Sequence, residues 1–109
     1  MNMDDYQALA ATTANQDLDK GQLLANMALG LAGEAGEAAD LIKKHLFHGH
    51  PLNEERLVKE LGDVLWYVAM MARALGRPLG EVAEINVAKL KERYPEGFSV
   101  GRSLERSPE

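Results

Sequence analysis

Leu57, Leu61, Val64, Val68, Met71 and Leu75 recur every three or four residues, the interval that keeps side chains on one side of an α-helix. Asn53 stands before this run in the position of an N-cap, with Glu54 and Glu55 in the first turn. Gly76 follows where a left-handed residue would close the helix. A second run, Leu24, Met27, Leu31, Ala38 and Leu41, lies in a longer helix from about Gln22 to Leu46, ended by "HGHPLN" with Gly49 and Pro51. Ahead of it, a helix from about Asp4 to Asn15 turns Tyr6, Leu9 and Ala10 inward, and "DLDKG" breaks the pattern. A fourth helix follows "RPLG", from about Glu81 to Arg93, and is closed by Pro95.

Residues 96–109, "EGFSVGRSLERSPE", hold little apolar material beyond Phe98, Val100 and Leu104, and are expected to form a docked arm or a frayed tail. No strand alternation of useful length, repeat or low-complexity linker interrupts the chain. The short connections between the last three helices favour antiparallel neighbours, so the pattern predicts a single all-α domain over 1–109, an antiparallel bundle of about four helices. Leu65, Trp66 and Met70 lie off the main stripe of the third helix, which points to a second subunit against that side.

One residue breaks the second run. Glu34 occupies the inward position between Leu31 and Ala38, where an unpaired carboxylate costs several kcal/mol or takes up a proton. Glu37 follows by three, and "ELGD" on the third helix repeats that spacing with Glu60 and Asp63. Measured back from Leu46, Glu37 and Glu34 lie roughly 14 and 18 Å from the turn; forward from Asn53, Glu60 and Asp63 lie roughly 11 and 15 Å along. In an antiparallel pair the four carboxylates face each other. They can coexist only with a cation among them or with protons on some of them. All-oxygen ligation suits Mg²⁺ or Mn²⁺ and disfavours zinc, and magnesium of this kind is bound together with substrate phosphates.

The fourth helix carries cations that such a substrate needs. Asn86 and Arg93 share a face, Lys89 stands about 60° to the side, and Lys89 and Arg93 reach the height of the acids to hold phosphate oxygens. Lys44, seven after Glu37, faces the same way, and Tyr67 or Trp66 could border a pocket for a base. Asp40, Lys43, Arg56 and Lys59 read as solvated or salt-bridged charges. His45, His48 and His50 in "HLFHGH" make a poor metal cluster, since only the first two have helical spacing and no acid lies beside them.

A net charge of −5 argues against nucleic acid as partner, which would require a basic face. The acidic start "MNMDDYQ" lacks the build of a signal peptide, and no apolar stretch approaches the roughly 20 residues of a membrane span, so no membrane partner and a cytoplasmic location are expected. Without cysteine there are neither disulfides nor thiolate metal sites.

"GLAGEAGEAADLIKK", "LVKELGDVLWYVA" and "NVAKLKERYPEGF" together resemble the MazG-like all-α nucleoside triphosphate pyrophosphohydrolases, from about Tyr6 to about Arg106. The resemblance implies metal ligands at Glu34, Glu37, Glu60 and Asp63, and phosphate or nucleotide contacts at Asn86, Lys89 and Arg93. It also implies Mg²⁺-dependent hydrolysis of a (d)NTP between the α and β phosphates, giving a monophosphate and pyrophosphate, as in nucleotide-pool housecleaning. Members form homodimers or homotetramers with two chains enclosing each site. Many carry a Glu directly before the first acid of the motif; this chain has Gly33, which leaves the catalytic base to Glu34, to Glu37 or to the metal-activated water. A di-iron bundle would need E-x-x-H pairs, which the sequence lacks. A catalytically silent helical module that binds metal–nucleotide as a regulator shares every feature of fold and charge, and only turnover separates it from the enzyme.

Overall fold

The computed structural model describes residues 1–106 as five helices: α1 (Met3–Ala11), α2 (Lys20–His48), α3 (Glu54–Ala74), α4 (Leu79–Arg93) and α5 (Val100–Glu105), with no strand among the described residues. Most starts are fixed by a side chain that answers the free N–H groups of the first turn. Asn2 accepts from Asp5 N at 2.8 Å and Asn53 from Arg56 N at 3.0 Å. Asp19 and Gln22 cap each other's backbone at the head of α2, so "DLDKG" supplies the cap of that helix as well as the break before it. α1 stops at Ala11, short of the expected Asn15, because the Thr12 and Thr13 hydroxyls turn back onto the carbonyls of Leu9 and Ala10 at 2.7 and 2.8 Å. Gly49 and Gly76 follow α2 and α3 at φ 74° and 72°, where a side chain would be strained.

Pro78 has no side chain to cap α4, and α1 does it instead. The Gln7 Oε1 accepts from Leu79 N at 3.0 Å, and Asp4 Oδ1 from Gly80 N at 2.8 Å. Gln7 is buried, and its Nε2 donates to the carbonyls of Ala69 and Arg77, both at 3.1 Å. Three helices thus meet on one amide. Gln7→Ala strands the Leu79 N–H and the Arg77 carbonyl, and the expected cost is about 2–3 kcal/mol, read as a lower midpoint in urea unfolding.

Met27, Met70, Ala69, Leu79 and Ala11 form the core, with Tyr6, Leu23, Trp66 and Tyr67 packed around it. α2 and α3 make the principal contact, α1 packs on α3, and α4 rests on α1 and α3. Two of the three residues expected to face a second subunit are covered within the chain: Met70 is buried, and Trp66 Nε1 donates to Ala10 O at 3.2 Å and Thr13 Oγ1 at 3.0 Å. Leu65 remains exposed, beside Val58 and Leu61.

The described chain after Pro95 is anchored to the end of α4 by Arg102. Arg102 donates through Nε to Arg93 O at 3.0 Å and through Nη2 to Glu92 O at 2.9 Å, answering the last carbonyls of α4. Residues 107–109 lie outside the described residues. No described helix is long and apolar enough to cross a membrane.

Candidate metal centre

Gly30 lies against the Tyr67 ring, so closely that a Cβ on it would overlap the ring, and Glu34 meets Glu60. Stepping forward along α2 therefore matches stepping back along α3, the antiparallel register in which the two acid pairs approach. Carboxylate oxygens of Glu34, Glu37 and Glu60 all lie within 4.8 Å of one another. Glu37 is exposed, whereas Oε2 of Glu34 and Oε2 of Glu60 are both buried without a hydrogen-bond partner.

Two buried carboxylate oxygens with no donor are an unstable arrangement unless a proton or a cation joins them. The proton's share is visible in Glu34, whose carboxyl is pushed up to about 7. The first cause is a hydrogen bond that only the protonated acid can give to Glu60; burial and the negative charges of Glu37, Asp63 and Glu60 add to it. A hard divalent cation would answer the same oxygens without a proton, and an all-carboxylate donor set fits such an ion. The inward Glu of the sequence is therefore matched by a second inward Glu.

Asp63, expected as the fourth ligand, stands outside this triple. It is exposed and borders a pocket of about 380 Å³ with Glu34, Thr13, Trp66 and Tyr67. Three residues after Glu60, it sits about 60° round α3 and one turn nearer Tyr67. Its charge still reaches inward, adding to the rise at Glu34 and, after burial, to the rise at the Tyr6 phenol. Trp66 and Tyr67 meet edge to face at 5.0 Å and form the aromatic wall. Thr13 is the member that sequence reasoning missed, since a threonine in a turn after a short helix has no pattern to mark it.

A model of the MazG nucleotide pyrophosphohydrolase domain matches residues 22–98, more than half of the chain and all of α2, α3 and α4 but the first residues of α2. The chain belongs to this family. The Gene 37 protein of Mycobacterium phage L5 is 38% identical over 109 residues, covering 93% of this chain and 96% of its own. No solved structure matches.

In the MazG domain, α4 also borders a groove of its own. Asn86 and Lys89 line a groove with Leu65, Val68, Val82 and Ile85, away from the pocket of the acids. Leu65 stands about 160° round α3 from Asp63, so this groove and the pocket of the acids open on different sides of α3. α1 pins the head of α4, and that helix rests chiefly on α1 and α3. Arg93 is half-buried at the end of α4, its carbonyl occupied by Arg102. Lys44 pairs with Asp40 at 2.9 Å, which holds that carboxyl below its ordinary range, and Lys43 lies 3.8 Å from the same acid. His45 directs Nδ1 to the carbonyl of His50 at 2.8 Å, closing the turn after α2.

Proposed function

We propose that this MazG domain is a nucleoside triphosphate pyrophosphohydrolase, cleaving a (deoxy)nucleoside triphosphate between the α and β phosphates to a monophosphate and pyrophosphate. The observation that carries the reading is the pair of partnerless buried oxygens on Glu34 and Glu60, beside Glu37. With the family match, they support a centre for Mg²⁺, or Mn²⁺, held by Glu34, Glu37 and Glu60. When bound, such an ion lowers the pKa of water and neutralises charge on the leaving pyrophosphate.

The chain's own part is to position and to exclude. Glu34 and Glu60 fix two buried oxygens, exposed Glu37 completes the triple, and Glu34 is the member that also lines the pocket. Asp63 borders the same pocket and is proposed to complete the ligand set from its edge. Thr13, Trp66 and Tyr67 form the wall on which the nucleoside would lie, with Trp66 held by its bonds to Ala10 of α1 and to Thr13 in the turn after it. Gly33 leaves open space where many members carry a Glu, so proton transfer from water falls to Glu34 or Glu37. Lys44 is proposed to turn from Asp40 to phosphate when substrate is bound. Asn86, Lys89 and Arg93 keep a phosphate role only in a site completed by a neighbouring copy, in the homodimer or homotetramer proposed for this chain.

The test is product identification. Incubated with Mg²⁺ and a panel of (d)NTPs, the protein is expected to release pyrophosphate and the monophosphate in equal amounts. Release of orthophosphate, or binding of Mg²⁺–nucleotide without turnover, would favour the silent regulator instead.

A further inference from the structure

We propose that the C-terminal arm, residues 95–106, is exchanged between two copies of this chain, with Val100 and Leu104 of each seated in the groove between α3 and α4 of the other. The proposal rests on the self-association proposed above and is independent of the hydrolysis.

The arm is ordered at its base and bare beyond it. Its fixings are the Ser99 cap on Arg102 N at 3.0 Å, the two Arg102 bonds to the end of α4, and the Tyr94–Phe98 ring contact at 5.4 Å. A six-residue helix is far below the length that holds together alone in water. Yet Val100 and Leu104, four apart on one face, are 66% and 81% exposed, and Phe98 is 75% exposed. Nothing among the described residues covers that face.

The same molecule presents a groove of matching character. It has a volume of about 450 Å³ and is walled by Leu65, Val68, Val82 and Ile85. The arm cannot fill its own groove while Arg102 grips the carbonyls of Glu92 and Arg93, because Ile85 lies about 12 Å back along α4 from that anchor. A two-fold axis across α4 removes the difficulty. With two copies of α4 antiparallel, the end of each lies beside the beginning of the other, and each arm meets the partner's Val82–Ile85 end.

The surface supports a second copy as the occupant. The chain exposes 7961 Å², against roughly 5,900 Å² for a compact monomer of this length, an excess of roughly 2,000 Å². Its radius of gyration is 16.9 Å where about 13 Å is expected. Roughly 800 Å² per partner already makes a standard interface, so the excess is ample for a stable dimer. The carboxylate pocket lies on the far side of α3 and stays open in this arrangement.

The native chain has no cysteine, which makes a cross-linking test clean. In the full chain carrying Ile85→Cys and Leu104→Cys, mild oxidation is expected to give a disulfide-linked dimer on a non-reducing gel. A monomer with an internal disulfide would show the arm folded on its own groove and overturn the exchange, as would thiols left free. In parallel, Val100→Glu with Leu104→Glu should weaken dimerisation at least a hundredfold by sedimentation while helicity is kept. A dimer that survives this pair unchanged overturns the role of the arm even if self-association itself stands, and a wild-type chain that sediments as a monomer overturns both.

Discussion

Glu34→Gln is expected to lower nucleotide turnover by roughly a thousandfold while making the metal-free protein more resistant to heat, two effects of opposite sign from one atom change. Turnover falls because an amide oxygen is a poor ligand for a divalent cation and cannot take a proton from water. Heat resistance rises because the side chain sits where Glu60 Oε2 is buried without a donor. The Gln amide offers that donor permanently, whereas Glu34 can do so only when protonated. Charge is also removed from the centre, relieving the repulsion from Glu37, Asp63 and Glu60 that raises the Glu34 carboxyl. Pyrophosphate release and thermal melting in a chelator read the two halves separately. Glu37→Gln serves as the comparison: Glu37 is exposed, so its loss should abolish turnover with little change in melting. Undiminished turnover in Glu34→Gln would remove the cluster from the chemistry, and a lower melting temperature would show that the acids are not in conflict.

The residues that were legible in the sequence are those governed by one helix or by one pair of helices. The 3–4 seam of α2 locates Glu34 on the inner face, and the Leu57–Leu75 stripe fixes the face that α3 presents. The count from the Gly49–Pro51 turn brings their acids to one height. Each of these follows from rise and periodicity, which the chain carries locally. What was not legible depends on a third element. Gln7 reads as an ordinary polar residue of an exposed helix until α4 needs a cap that Pro78 cannot give. Trp66 and Met70 read as a partner-facing patch until Trp66 bonds to α1 and Met70 joins the core cluster with Ala11, Met27 and Leu79. Counting sets the height of Asn86 and Lys89 along α4, but not the groove with Leu65 and Val68 that they line, because rise along a helix is set by counting and the angle between helices is set by packing. Asp63 lies outside the triple for a related reason: three residues bring it near the face of Glu60, but it borders a pocket completed by Thr13, from the turn after α1, which no count along α2 or α3 reveals.

Raising the pH from 5 to 8 in a chelator is expected to lower the melting temperature, and the increment given by Mg²⁺ should be larger at pH 8 than at pH 5. The folded Glu34 carboxyl titrates at about 7, above its ordinary 4.5. Below about 4.5 folded and unfolded chains both hold the proton, and the stability is complete. As the pH rises the unfolded chain releases its proton first, so each further step favours unfolding until the folded carboxyl also ionises. The loss therefore accumulates as the pH climbs through about 7 and levels off beyond it. A divalent ion competes for the oxygens that the proton bridges, so its binding displaces a proton at pH 5 and meets an open site at pH 8. Differential scanning calorimetry at the two pH values, with and without Mg²⁺, reads both trends, and Glu34→Gln should flatten the slope seen in the chelator. Equal Mg²⁺ increments at pH 5 and 8, with binding confirmed by titration calorimetry, would mean that the ion and the proton do not share these oxygens. The acids would then hold no common site, and the buried pair of Glu34 and Glu60 would have to be stabilised by the proton alone.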